Sequence, residues 1–318
     1  MAWSLEKAGP SIRKLSCPEG VEPAYDIPLT VEIEPVALGD PGVVREALTG
    51  LRFAGGWALK TDNEAFGGLS GIDLLPDGNF LTVSDDGAFV ELGLNPEIGE
   101  PSGEARLSYM LGSDGSPLSG KADGDAEGLD YTDGIAFVSF ERNHRVLAFD
   151  RAGCGGAARG ILVSAIGFEP ASLGHSIREN GGAEALAMAG GQMEIGLETG
   201  VDGLGPTAIV DVEGRPQFDA VPWIDAGGVP LVGMDWADGV LYSLHRAYNP
   251  LTGNTIIVMK TDASGTSQLA KLERPLTVDN FEGITAVERS DGTIRLFLVA
   301  DDNFSDRQRT LLFAFDVL

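Results

Sequence analysis

Apolar positions recur along the chain in one motif: a short apolar stretch, a glycine-bearing turn, and a second apolar stretch ending in a polar residue. Five segments carry it: SGIDLLPDGNFLTVSD from Ser70, EGLDYTDGIAFVSFE from Glu127, EALAMAGGQMEIGLE from Glu184, VGMDWADGVLYSLHR from Val232 and EGITAVERSDGTIRLFLVAD from Glu282. Val, Ile, Phe and Tyr are frequent in the arms, and turn dipeptides such as Asp77-Gly78 and Asp133-Gly134 stand between them. Each segment therefore reads as a β-hairpin. The starts are 57, 57, 48 and 50 residues apart. That spacing leaves room for two further strands per unit and marks a β-propeller blade.

The further strands are readable at 144–150 and 161–168 after the second hairpin, and at 254–261 and 267–272 after the fourth. After the fifth hairpin only 310–317 remains, so that blade is one strand short. Residues 51–59, LRFAGGWAL, supply the missing strand and remove the exposed edges. The prediction is an all-β fold, a five-bladed β-propeller closed by an N-terminal strand, with residues 1–27 as an arm and 28–318 as the propeller. A strand-like run at 28–38 leaves a sixth, partial blade as the alternative. No helix-period stretch competes, and 171–185 reads as a loop or one short helix. Nothing resembles an amphipathic interaction helix, which predicts a monomer.

Composition narrows the partners. With 48 Asp+Glu against 22 Lys+Arg, the net charge is −26, which argues against nucleic-acid backbones and anionic membrane surfaces as partners. Hydrophobic residues make up 43% of the chain, enough for a core, and 44 glycines fit a fold of many tight turns. No apolar run approaches a spanning helix, and the first 20 residues lack the apolar centre of a signal peptide. Cys17 and Cys154 are read as two unpaired thiols, with a disulfide tying the arm to a loop as the alternative.

Aligned by their turns, the hairpins sort part of the acid. Glu127 lies seven residues before Gly134 and Glu141 seven after it; Glu184 and Glu198 stand in the same relation to Gly191, and Asp85 follows Gly78 by seven. Residues equidistant from a hairpin turn face one another across the strands. The starts then read Ser70, Glu127, Glu184, Val232, Glu282, and the ends Asp85, Glu141, Glu198, Arg246, Asp301. If the first strand of each hairpin is innermost, seven carboxylates converge on one mouth of the central channel. Like charges so placed repel and raise one another's pKa, and a hard cation resolves the repulsion. Calcium suits a mixed oxygen set; zinc does not, because His144, His175 and His245 are scattered and no cysteine pairs with them.

At these residues the sequence resembles a known family. FGGLSGIDLLPDGNFLTVSDDG (66–87), DAEGLDYTDGIAFVSFERNHRVLAFD (125–150), GGAEALAM (181–188) and DNFEGITAVERSDGTIRLFLVADDNFSDRQRTLLFAFDV (279–317) resemble the bacterial phytase-like domain family, also called esterase-like phytases. The resemblance covers about residues 50–318 and implies a β-propeller, an exported (periplasmic or secreted) protein and a phosphoesterase activity. The stretch from Glu127-Gly128 to Glu141 is also similar to alkaline β-propeller phytases, where such acidic residues hold calcium in the channel. Those phytases grip phosphate with several Lys and Arg residues. Here the basic residues near the mouth are Arg142, His144, Arg145 and Arg246, with His175, Arg178, Arg307 and Arg309 as outer candidates.

The chemistry this predicts is calcium-dependent hydrolysis of a phosphoester or related ester of a small-molecule substrate. Glu127, Glu141, Glu184, Glu198, Glu282, Asp85 and Asp301 hold the metal. Arg246 and His245 meet the developing charge, with Arg142 and His144 as second candidates. No Gly-x-Ser-x-Gly elbow appears, which argues against a serine esterase. A metal-dependent sugar lactonase and a non-catalytic, calcium-stabilised binding propeller are the alternatives.

Overall fold

A computed structural model describes residues 2–22, 26–95 and 99–318. The chain opens with helix α1 (Leu5–Ser16), strands β1 (Ile27–Thr30) and β2 (Glu32–Pro35), helix α2 (Pro41–Ala47) and strand β3 (Leu51–Lys60). Blade 1 follows as β4 (Leu69–Leu74), β5 (Phe80–Ser84), β6 (Ala88–Asn95) and β7 (Glu100–Tyr109). Blade 2 is β8 (Ala126–Thr132), β9 (Ile135–Phe140), β10 (Arg145–Asp150) and β11 (Ile161–Ala165), with the short helix α3 (Arg151–Cys154) between the last two. Blade 3 is β12 (Ala183–Ala189), β13 (Gln192–Leu197), β14 (Thr207–Val210) and β15 (Pro216–Gln217). Blade 4 is β16 (Leu231–Ala237), β17 (Val240–Asn249), β18 (Gly253–Asp262) and β19 (Gly265–Leu272). Blade 5 is β20 (Asn280–Glu288), β21 (Ile294–Asp301) and β22 (Leu311–Val317), completed by β3.

All blades are antiparallel, and the first strand of each hairpin is innermost. β4, β8, β12, β16 and β20 touch in a closed ring, β20 meeting β4. β3 pairs with β22 from Leu51↔Val317 to Ala58↔Leu311, which is the closure expected from LRFAGGWAL. The core is divided among the gaps between blades. Phe80 meets Phe297 edge-on at 4.7 Å between blades 1 and 5, and Phe89 meets Phe149 at 5.2 Å between blades 1 and 2. Between blades 4 and 5, Leu244 and Val258 pack with Phe281, Phe313 and Phe315.

The run at 28–38 builds no sixth blade. β1 adds to the outer edge of blade 1 by pairing with β7, and β2 adds to the outer edge of blade 5 by pairing with β3. Each is four residues long, enough to cover an open edge and too little to make a sheet. The segment 171–182 is loop, ending where β12 begins.

Two expectations for the arm are overturned. It contains a helix, α1, whose Leu5, Gly9, Ile12 and Ser16 fall on one buried stripe although Pro10 lies inside it. Pro10 and the polar residues around it mask the helical period in the sequence, and packing against β10 and β11 stabilises it. The cysteines are not free thiols: Cys17, just past α1, and Cys154, ending α3, form a disulfide with their Cα atoms 5.8 Å apart. Ser16 fixes this approach, its hydroxyl donating to the Arg159 carbonyl at 2.7 Å and accepting from the Asp150 N–H at 2.9 Å.

Residues 2–60 touch every blade in turn. Trp3 and Leu5 donate backbone N–H groups to Val210 and Gly191 of blade 3, and α1 and the disulfide sit on blade 2. β1 then joins blade 1 and β2 joins blade 5. α2 and the Leu48–Ala270 bridge meet blade 4 before β3 enters blade 5.

Candidate metal centre at the channel mouth

Every innermost strand carries a β-bulge at the same place: between Leu69 and Gly71, Ala126 and Leu129, Ala183 and Ala185, Leu231 and Gly233, and Phe281 and Gly283. The bulged positions include Ser70, Glu127, Glu184, Val232 and Glu282. The start residues are thus not paired across the hairpin as equidistance from the turn suggested. They are unpaired residues that a bulge turns toward the channel. The glycine after the bulge has a packing cause: a Cβ on Gly71 would lie 2.6 Å from the Glu127 carbonyl oxygen of the next blade.

The end residues share one backbone position. The N–H groups of Asp85, Glu141, Glu198 and Arg246 donate to the carbonyls of Gly68, Asp125, Gly182 and Pro230 at 2.9–3.0 Å, and Asp301 pairs with Asn280. Two carboxylate triads result. Oxygens of Asp125, Glu127 and Glu141 lie within 4.8 Å of one another, as do oxygens of Glu141, Glu184 and Glu198. Asn280 Nδ2 bridges Glu282 Oε1 at 2.9 Å and Asp301 Oδ2 at 3.1 Å. Gly182 N–H donates to Glu141 Oε1 at 3.0 Å.

Burial, then neighbouring carboxylates, push Glu127 and Glu184 well above the usual range for Glu. Burial raises Asp301 to about 8, helped by Glu282. Glu282 rises to about 7 through burial, although Arg246 opposes the shift. Asp85 is raised by burial against the pull of Lys121, and its Oδ1 is buried with no hydrogen-bond partner.

Of the basic candidates, Arg246 and Arg142 are at the mouth. Arg246 Nη2 is 3.0 Å from Glu282 and 3.8 Å from Glu198; Arg142 Nε donates to Asp125 Oδ2 at 2.7 Å. His245 is elsewhere. As the neighbour of Arg246 in β17 it faces the opposite side of the strand. It is buried with Nδ1 3.1 Å from the Val229 carbonyl and Nε2 3.0 Å from the Ser243 hydroxyl. His144 is buried too, its Nε2 at 3.1 Å from the Arg178 carbonyl and its ring edge-on to Phe168 at 4.7 Å. His175 and Arg307 are exposed on loops, Arg178 approaches Glu198 at 3.4 Å, and Arg309 approaches Asp279 at 3.8 Å.

Sequence reasoning missed Asp125, a member of the first triad, and Lys121, four residues before it, and it missed a deeper tier. Three residues beyond the bulged positions stand Asp73, Asp130, Ala187, Asp235 and Thr285. Asp130 Oδ2 accepts the Met188 N–H of the next blade at 2.7 Å, and Asp235 Oδ2 accepts the Ala286 N–H at 2.7 Å. Asp73 Oδ2 accepts from Tyr131 N–H, and the Thr285 hydroxyl lies 3.0 Å from Asp235 and 3.3 Å from Asp73. These aspartates tie blade to blade. The same repeat alignment, read three residues further, would have found them.

The channel between the tiers encloses only about 10 Å³, room for about one water. Chemistry on anything larger is confined to the mouth. Wider clefts of about 450 and 780 Å³ on the flanks of blades 1 and 2 hold charges already engaged, such as Arg151 with Asp26 at 2.8 Å and Arg145 with the Asp123 carbonyl at 2.6 Å.

Residues 64–304 match the phytase-like family described as "Esterase-like activity of phytase". The chain belongs to this family. No functionally curated protein matches the sequence. Among solved structures, the chain is similar to the PQQ-bound aldose sugar dehydrogenase from Streptomyces coelicolor, at 12% identity and TM-score 0.47, covering 93% of this chain and 100% of that one. It is also similar to the PQQ domain of pyranose dehydrogenase from Coprinopsis cinerea, at 12% identity and TM-score 0.44, covering 93% and 99%. Likeness at this level says nothing of what this chain binds.

Proposed function

We propose that the mouth is a calcium-dependent site hydrolysing a phosphoester or related ester of a small-molecule substrate. One observation carries the reading: two carboxylate triads joined at Glu141, the oxygens of each within 4.8 Å of one another, at the mouth of a channel with room for only about 10 Å³. The donor set fits calcium, being all oxygen and irregular, and Asp85 Oδ1 stands buried without a partner. Each triad, Asp125–Glu127–Glu141 and Glu141–Glu184–Glu198, offers a position that could hold an ion, with Glu282, Asp85 and Asp301 beside them. When bound, calcium polarises a phosphoryl or carbonyl oxygen and lowers the pKa of a bound water.

Arg246 supplies the fixed positive charge. Burial works against its charge, but Glu282, Glu184, Glu198 and Glu127 outweigh it and keep the guanidinium protonated. It can take the anionic end of a substrate and the charge that develops on it. With room for only about 10 Å³ below the mouth, a substrate would be held at the surface.

A second reading is favoured by the positions of His144 and His245. His245 is bonded within blade 4 and His144 is buried and held to the Arg178 carbonyl, so neither imidazole is exposed to a substrate at the mouth, which suits a calcium-stabilised binding propeller. Hydrolysis of p-nitrophenyl phosphate, p-nitrophenyl acetate and a sugar lactone with added calcium separates the readings. Turnover that calcium restores after EDTA, and that Glu127→Ala and Arg246→Ala both abolish, supports the hydrolase. A calcium-raised Tm without turnover supports the binder. No Tm response to calcium or EDTA overturns both.

We further propose that the protein works as an exported monomer. The Cys17–Cys154 disulfide supports an oxidising compartment. Thiol titration of protein from its native host is expected to find no free thiol; two thiols would place it in a reducing one.

A further inference from the structure

We propose that Lys121 is a built-in cation filling one of two cation positions at the mouth, so that the native chain takes a single divalent ion, at the Glu141–Glu184–Glu198 end. The inference rests on the metal reading above and goes on to fix the number and place of the ions.

The two triads are compensated differently. In the first, both oxygens of Asp125 are engaged by cations: Lys121 Nζ meets Oδ1 at 3.0 Å and Arg142 Nε meets Oδ2 at 2.7 Å. Lys121 Nζ also donates to Asp85 Oδ2. Burial disfavours the ammonium charge, but its bonds to Asp85 and Asp125 outweigh burial and raise its pKa. A divalent ion at this end would have to displace a group already held by two carboxylates. In the second triad, no ion pair to Glu141 or Glu184 occurs among the described residues, and Glu198 is approached only by Arg178 at 3.4 Å and Arg246 at 3.8 Å. The oxygens of Glu141, Glu184 and Glu198 nonetheless lie within 4.8 Å of one another, so this end gathers carboxylates with no cation held as closely as Lys121 and Arg142 are at the other.

Lys121 is an imperfect substitute for an ion, and that is the second sign of a cation position. A single ammonium reaches one oxygen of Asp85 and leaves Oδ1, on a residue only 8% exposed, without a partner. A divalent ion can engage both oxygens of a carboxylate. Lys121 rides a tight turn between β7 and β8, where Gly124 N–H donates to the Gly120 carbonyl at 2.9 Å. Its side chain is 53% exposed, so it enters from solvent and its replacement opens no cavity in the core.

The test is calcium stoichiometry by equilibrium dialysis with elemental analysis, on the full chain, for wild type, Lys121→Met and Lys121→Arg. The expected result is one ion per chain for wild type and Lys121→Arg, and two for Lys121→Met. Two ions in wild type, or one in Lys121→Met, overturns the proposal while leaving the metal reading intact. No ion in any of the three overturns the metal reading itself. Amide hydrogen exchange of residues 118–124 gives a measurement on wild type that needs no variant. Calcium leaves it unchanged if Lys121 stays in place; an increase on adding calcium means that the ion displaces Lys121 and ends the proposal.

Discussion

At the mouth, Glu127, Glu184 and Glu282 leave bulges in the innermost strands, and their oxygens face other carboxylates and side-chain cations. Three residues further along the same strands, Asp73, Asp130 and Asp235 are also buried or half-buried carboxylates at repeat positions, yet each accepts a backbone N–H from the next blade. The two tiers share charge, burial and spacing, and differ in what completes their oxygens. Backbone donors are fixed by the fold and, with the Thr132 and Thr285 hydroxyls, complete the deep tier. Side-chain cations and shared protons are exchangeable, and they leave the upper tier open to a ligand. Acidity at repeat positions is therefore a sign of a site only where the backbone has not already claimed the oxygens.

The sharpest way to break this contrast is to delete one member of each tier. Asp130→Ala strands the Met188 N–H and the Thr132 hydroxyl, which bonds it at 2.6 Å. It should lower stability by about 2–3 kcal/mol, with the calcium response of the remaining fold intact. Glu184→Gln removes a like charge from the mouth; it should leave the Tm of the EDTA-treated chain no lower and abolish the rise on adding calcium. Equal losses of Tm in both variants would erase the distinction.

A smaller effect follows from protonation of the deep tier. Burial raises Asp235 to about 7 and Asp130 to about 6, whereas unfolded aspartates titrate near 4. Between those values the native chain binds more protons than the unfolded one, so stability falls as pH rises. The cost is absent below about pH 4, grows through the window and is complete above about pH 7. Urea unfolding of EDTA-treated protein should give a lower midpoint at pH 8 than at pH 5, and Asp235→Asn should flatten that slope. A slope untouched by Asp235→Asn assigns the titration to Asp73, Asp130 or the mouth, all of which burial also raises. The smallest effect is Thr285→Val, which removes the hydroxyl between Asp235 and Asp73 and should cost about 1 kcal/mol by the same measurement.

Much of this contrast was within reach of the sequence. The hairpins and their acidic ends are local patterns, set by turns such as Asp133-Gly134 and by strand alternation. Counting strands was enough to send 51–59 into the last blade. Alternation also forbids His245 and Arg246, neighbours in one strand, from facing the same mouth. The deep tier escaped because Asp73 and Asp235 follow Ser70 and Val232, the two start positions without a carboxylate. Lys121 and Asp125 lie outside the hairpin repeat, on or beside a loop whose path only the assembled blades determine. The Cys17–Cys154 bond, spanning 137 residues, and the division of 28–38 between two blades depend on tertiary placement with no local signal.

The belt formed by residues 2–60 has a consequence for the order in which the molecule is made. It is synthesised ahead of every blade it binds, and its partners lie far along the chain: Arg52 pairs with Asp316 at 2.6 Å across 264 residues. Such distant closures carry the largest entropic cost and form late. The segment born first therefore waits longest, and its docking is the hoop that finishes the barrel. Once fastened, on blade 2 by a covalent bond, it spans every gap between neighbouring blades except that between blades 3 and 4, which is left as the seam where the ring can part first.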